Sequence, residues 1–214
     1  METLRLAIAL LVAAATATPA GALAQISTPG GAADENNLTV YGGYRFGGGL
    51  TDVTTGKTWE TTDGVAYAIA ADFAIDRRTQ WELFISHRSS TLKASGFAPV
   101  ADNIGVGITY YHLGGTYFFD QGVGKGGYVV GGLGLTNFSP SLSGLSSETR
   151  FSLNLGVGYM VPLAKYVALK IEGRGYATLI DSSSGFFCSG GCVVQISGTT
   201  FTQGEVLVGL SARF

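Results

Sequence analysis

The sequence predicts an all-β fold, an eight-stranded antiparallel up-and-down transmembrane β-barrel. Three observations predict it. Apolar and polar residues alternate with a period of two along eight segments. Long and short breaks alternate between those segments, and aromatic side chains gather at the short-break end.

The chain has 214 residues, a length that one barrel can account for. Only 13% of residues are charged and the net charge is -2, so the basic surface needed to hold nucleic acid is missing. Glycine is frequent at 33 residues without a triplet period, which excludes collagen. Aromatic and β-branched residues are too common for a disordered chain.

Residues 1–24 read as a cleaved signal peptide. Arg5 precedes an apolar run that is too short to cross a bilayer, and Pro19 leads to the small-x-small signal Ala22-Leu23-Ala24. Cleavage after Ala24 leaves Gln25 as the mature N-terminus, and 25–37 reads as a polar periplasmic lead-in. Downstream no run of about 18 apolar residues exists to form a membrane helix. An exported chain of this kind can still enter a membrane as a closed barrel, because closure pairs every backbone donor.

The barrel should cover 38–214, with strands near 38–48, 64–75, 80–90, 104–119, 126–138, 149–161, 165–178 and 201–214. An even number puts both chain ends on one side. The breaks at 76–79, 120–125 and 162–164 are short and suit periplasmic turns. Those at 49–63, 91–103, 139–148 and 179–200 are long and suit the cell exterior.

Neighbouring residues on a strand point to opposite faces. The last strand sets Val206, Val208, Leu210, Ala212 and Phe214 against Glu205, Ser211 and Arg213. The seventh sets Val167, Leu169 and Ile171 against Lys170, Glu172 and Arg174. The first sets Val40, Tyr44 and Phe46 against Arg45, the second Tyr67 and Phe73 against Asp72, the third Trp81 and Leu83 against Glu82 and Arg88. A soluble sandwich would alternate in the same way. Strand length, beyond the five or six residues of globular sheets, favours the membrane. So does a girdle of Phe73, Trp81, Phe118, Tyr159 and Phe214 assigned to the outward parity. Glycines 105, 107, 156, 158 and 209 are assigned to the polar face, as suits a narrow lumen.

On these grounds the chain resembles the small eight-stranded outer-membrane barrels of Gram-negative bacteria, the OmpA/OmpX type. The resemblance rests on the strand rhythm, on Tyr110-Tyr111-His112-Leu113-Gly114-Gly115-Thr116-Tyr117-Phe118-Phe119 and on Leu169-Lys170-Ile171-Glu172-Gly173-Arg174-Gly175-Tyr176. It also rests on the terminal strand closing in Arg213-Phe214. It implies an integral protein of the cell envelope with a structural or surface-interaction role and no catalysis or cofactor. Implied partners are outer-membrane lipid and lipopolysaccharide, an extracellular ligand or host surface met by the loops, and the barrel-assembly machinery, which would read Phe214 as its signal.

The lumen should then enclose Arg45, Asp72, Glu82, Arg88, Lys170, Glu172, Arg174, Glu205 and Arg213. Charges so confined must pair, because lone buried ions are costly. The favoured reading is a polar plug; a narrow gated pore for small solutes is the alternative. A second alternative is a lipid A-modifying hydrolase using His87 and Ser89, similar to the lipid A 3-O-deacylases, with Asp102 as the orienting acid. The chain departs from that family in having Ser90 where an Asn follows the Ser, and in placing the motif in the third strand.

His112 sits on the outward parity unless Gly114-Gly115 marks a bulge. The run Gly122-x-Gly124-x-Gly126 is no phosphate loop, since no helix follows it. No metal site is expected. Cys188 and Cys192, with two glycines between them, read as a disulfide clip in an exported chain, a two-thiolate metal site being the alternative.

Overall fold

β-Branched and aromatic residues on a period of two build twelve strands among the described residues of the computed structural model. It describes residues 36–51, 58–94, 103–119, 122–141, 146–180, 185–188, 192–195 and 200–214. Residues 1–24, read above as a signal peptide, and 25–35 of the expected lead-in lie outside the described residues. In chain order the strands are β1 (Asn37–Gly47), β2 (Gly49–Thr51), β3 (Thr58–Thr61), β4 (Gly64–Ala74), β5 (Thr79–Ala94) and β6 (Asn103–Phe118). Then follow β7 (Gly126–Pro140), β8 (Glu148–Ala164), β9 (Val167–Leu179), β10 (Gly185–Cys188), β11 (Cys192–Gln195) and β12 (Thr200–Arg213).

Eight of these, β1, β4 to β9 and β12, form an antiparallel meander. The sheet closes on itself through β1 and β12, paired from Asn37↔Arg213 to Gly47↔Gln203. Closure removes both sheet edges, the condition for strands in hydrocarbon. Mutual backbone hydrogen bonds between Asn36 and Phe214, at 3.3 and 3.0 Å, tie the two chain ends together at the short-turn rim.

The short turns are built by local chemistry. Asp76 accepts the backbone N–H groups of Arg78 (2.7 Å) and Thr79 (2.9 Å) and so folds the β4–β5 turn. Between β6 and β7, Gly122 (φ 85) and Gly124 (φ 92) adopt a left-handed backbone that other residues resist. β8 runs on to Ala164 past a register shift at Pro162/Ala164, so the third turn is Lys165-Tyr166 and not 162–164. At the opposite end the break at 49–63 carries β2 and β3, which extend the wall beyond β5. The break at 179–200 carries the separate β10–β11 hairpin.

The faces are inverted relative to a soluble protein. Large apolar side chains point outward on all eight barrel strands, among them Leu155 (69% exposed), Leu210 and Tyr67. Arginine, lysine and carboxylate side chains are enclosed. So large an apolar exterior requires a lipid-like surrounding. Trp81, Phe73, Tyr159 and Phe214 face outward at the short-turn end.

One strand differs from the sequence expectation. On β6 the inward residues are Ile108, Tyr110, His112, Thr116 and Phe118; Tyr111, Leu113 and Tyr117 face out. Phe118 therefore leaves the girdle, where Tyr117 and Phe119 stand instead, and Gly105 and Gly107 belong to the outer face. No bulge resets the alternation, because Glu82↔Gly114 and Gly114↔Gly132 continue unbroken registers. Aromatics fill both parities of β6, so hydrophobicity alone could not choose its face.

Candidate functional site

The lumen is the site, and glycine opposite bulk is what lets large side chains fit inside it. A Cβ at Gly156 would come within 2.9 Å of the Arg174 stem, and one at Gly209 within 2.5 Å of the Tyr41 ring. Four cations, Arg45, Arg88, Lys170 and Arg174, and four carboxylates, Asp72, Glu82, Glu172 and Glu205, are buried there.

They form two layers. In the layer nearer the short turns, Arg174 of β9 reaches Glu82 of β5, four strands away in either direction. Its two terminal nitrogens donate to the two carboxylate oxygens at 2.9 and 2.7 Å, a fork-to-fork pair. Its Nε also donates to Glu172, and the guanidinium lies 3.7 Å from the centre of the Phe84 ring. Glu172 additionally accepts the hydroxyls of Tyr128 (2.8 Å) and Tyr41 (3.5 Å). Lys170 pairs with Asp72 at 2.7 Å.

In the layer nearer the long breaks, Arg45 donates to Glu205 at 3.2 and 3.3 Å, to Ser86 and to the Ile108 carbonyl at 3.3 Å. Ser86 and Tyr176 donate to Glu205 as well. The rings of Tyr110 and Tyr176 stack at 4.1 Å with the Arg45 guanidinium 4.7 Å from the Tyr110 centre. Tyr110 then donates to Gln203 at 2.8 Å, again across the full width. His112 stacks on Tyr110 and its Nε2 lies 3.0 Å from Ser152 Oγ.

Two of the charges stand apart. Arg88 donates to the Arg45 carbonyl at 3.1 Å and makes no ion pair among the described residues. Arg213 is half-buried at the short-turn mouth, against Gly124, outside both layers. Sequence reasoning did not include the tyrosines that each layer contains. Parity would have found Tyr41 and Tyr176, which share the faces of Arg45 and Arg174; Tyr110 was hidden by the ambiguity of β6.

The remaining candidates lie elsewhere. His87 and Ser89 point outward, and His87 Nδ1 bonds Thr109 Oγ1 at 2.8 Å. Asp102 is outside the described residues. Cys188 and Cys192 occupy opposed positions of the β10–β11 hairpin, and their side chains are outside the described set. Phe214 is outward and exposed beside the rim.

No family model matches the chain, and no curated protein sequence matches it either. Solved structures do. Neisserial surface protein A superposes with a TM-score of 0.59 at 16% identity, covering 86% of this chain and 100% of that one. The outer-membrane protein AlkL, solved in lipid bilayers, gives 0.56 at 15%, covering 92% and 95%. OprG of Pseudomonas aeruginosa, an outer-membrane protein, gives 0.52 at 12%, covering 85% and 97%. In fold, the chain is a closed eight-stranded antiparallel β-barrel, similar to these small outer-membrane proteins.

Proposed function

We propose that the protein is an integral outer-membrane barrel with a plugged lumen, serving a structural or surface-interaction role without catalysis. One observation carries this reading. Hydrogen bonds span the whole diameter at two levels, Arg174 to Glu82 and Tyr110 to Gln203, leaving charged and aromatic side chains where a solute would pass. The apolar exterior supports insertion in lipid, and the exterior β2–β3 and β10–β11 hairpins supply surface for a ligand or host contact. In this reading the signal peptide is cleaved after Ala24, Cys188 and Cys192 form a disulfide, and the assembly machinery reads Phe214 ahead of contact with lipopolysaccharide.

Planar-bilayer recording of purified protein tests the plug. Heat-dependent gel mobility establishes that the barrel is folded, and no reproducible conductance is the expected result. Steady single-channel currents from folded protein would replace this reading with the gated pore. That second reading draws on one feature: both levels are closed by side-chain contacts and not by backbone, so their rearrangement would open a path.

A further inference from the structure

The buried charges are unevenly divided along the barrel axis. Near the short turns, Lys170 and Arg174 face Asp72, Glu82 and Glu172. Nearer the long breaks, Arg45 and Arg88 have Glu205 as the single buried carboxylate among the described residues. Glu205 is already engaged, since it accepts Arg45, Ser86 and Tyr176. Arg88 is the surplus cation of that half.

Arg88 is 2% exposed, and its only hydrogen bond among the described residues goes to the Arg45 carbonyl at 3.1 Å. Its Nε is buried without a partner. Asp63 at the same rim turns its Oδ1 to the Gly47 N–H at 3.0 Å instead. The unused edge of the guanidinium has a defined direction. Gly64 is the first residue of β4, half-buried at the long-break rim. A Cβ there would lie 3.4 Å from Arg88 Nη2, 3.7 Å from Nε and 3.9 Å from Cζ. Both nitrogens are nearer than the carbon between them, so the missing side chain lies off the Nε–Nη2 edge and not over the guanidinium face.

That edge presents two parallel N–H groups, the fork that holds a carboxylate, sulfate or phosphate through two oxygens. Water can satisfy such donors, but it leaves the surplus charge unpaired, and an unpaired buried cation is costly. We infer that Arg88 and Gly64 form a seat for one oxyanion group at the long-break mouth of the lumen. The seat rests on the surface-contact reading above only for the side from which its ligand comes. It goes beyond that reading by naming a site and a ligand class.

The test follows the arginine Nε–H signals of the whole protein by heteronuclear NMR in micelles of a neutral maltoside detergent. Sodium sulfate is titrated, with sodium chloride at equal ionic strength as the control. The Arg88 signal, assigned by its loss in Arg88→Lys, should shift saturably with sulfate and not with chloride. Arg45 and Arg174, whose Nε groups already bond Glu205 and Glu172, should stay put. Gly64→Val keeps Arg88 and fills the place beside its fork, so sulfate affinity should fall about tenfold. Gly64→Ala takes its place if the valine variant loses the heat-dependent gel shift. Phosphatidylglycerol added without sulfate separates the sources: a shift with sulfate assigns a soluble anion, a shift with the lipid alone assigns a headgroup phosphate, and both support the seat. An Arg88 signal that neither moves overturns the seat while the surface-contact reading of the hairpins stands. Unchanged affinity in a folded Gly64 variant overturns it as well. So does a response that appears only in Asp63→Asn, which would make Asp63 the internal partner of Arg88.

Discussion

The two halves of the lumen wall solve the same packing problem differently. Strands β9, β12, β1, β4 and β5 carry all eight buried charges, while β6, β7 and β8 bury none among the described residues. On the charged wall most ions meet a counter-ion and further donors, as with Glu205, which holds Arg45, Ser86 and Tyr176. On the neutral wall several buried polar atoms have no protein partner, His112 Nδ1, Thr116 Oγ1 and both amide atoms of Asn154; on the charged wall Asp72 Oδ1 and Arg88 Nε share that state. The difference in charge between the walls follows from reach and cost. Most long ionic side chains span the lumen to a partner because a lone buried charge is costly, while Arg88 rests on a backbone carbonyl. Short neutral groups cannot reach across, and ordered water can satisfy them at modest cost.

The sharpest way to break this division is at Arg174, which serves two carboxylates at once. Arg174→Leu leaves Glu82 without its ion pair and weakens the hold on Glu172. A loss of about 3–5 kcal/mol in folding stability is expected from uncompensated buried charge. Guanidinium unfolding in detergent micelles measures it. The same variant should stay silent in a planar bilayer, because the Tyr110–Gln203 level still spans the lumen. Conductance from the folded variant would show that the Arg174 level alone holds the lumen shut.

The neutral wall is constrained by backbone approach. A Cβ at Gly134 would collide with the Tyr111 carbonyl and lie 2.8 Å from the His112 backbone. Gly134→Ala should therefore force β6 and β7 apart, costing about 1–3 kcal/mol. Amide exchange should rise locally on β6 and β7 while β1 and β12 keep their protection. Uniform loss of protection would mean that the barrel unfolds as one unit from either wall.

Much of this architecture was legible in the sequence, and the exceptions are instructive. Strands such as β9 could be read because each face has its own chemistry: Val167, Leu169 and Ile171 against Lys170, Glu172 and Arg174. β6 misled because Tyr110 and Tyr111, then Tyr117 and Phe118, give both faces the same chemistry, and polarity alone then says nothing. The identity of the charges was readable, but their partners were not. Arg174 meets Glu82 because closure through β1 and β12 fixes the stagger of every strand. No local pattern in β5 or β9 encodes that stagger. His112 combined both difficulties, lying on the ambiguous strand with its partner Ser152 two strands away.

Asn154 sharpens the contrast from the opposite direction. It is buried and its amide finds no protein partner, so Asn154→Leu removes a desolvated polar group in place of an ion pair. A change within about 1 kcal/mol, and of either sign, is expected where water had satisfied the amide. A loss as large as that of Arg174→Leu would mean that the neutral wall depends on a polar network as strongly as the charged one does.

The smallest effect belongs outside the lumen, at the β4–β5 turn. The backbone N–H of Arg78, followed by Thr79, holds the Asp76 carboxyl below its ordinary value of 3.8. A carboxylate favoured in the folded turn stabilises it fully above that ordinary value, and the contribution disappears as pH falls through the lowered one. Asp76→Ala should thus unfold at slightly lower denaturant than wild type at neutral pH, and the two curves should converge in acid. The side chain is fully exposed and solvent screens it, so the difference should be far below that at Arg174. Denaturation series at pH 7 and near pH 2 measure it. Curves that stayed apart in acid would show that Asp76 acts through its hydrogen-bonding shape and not through its charge.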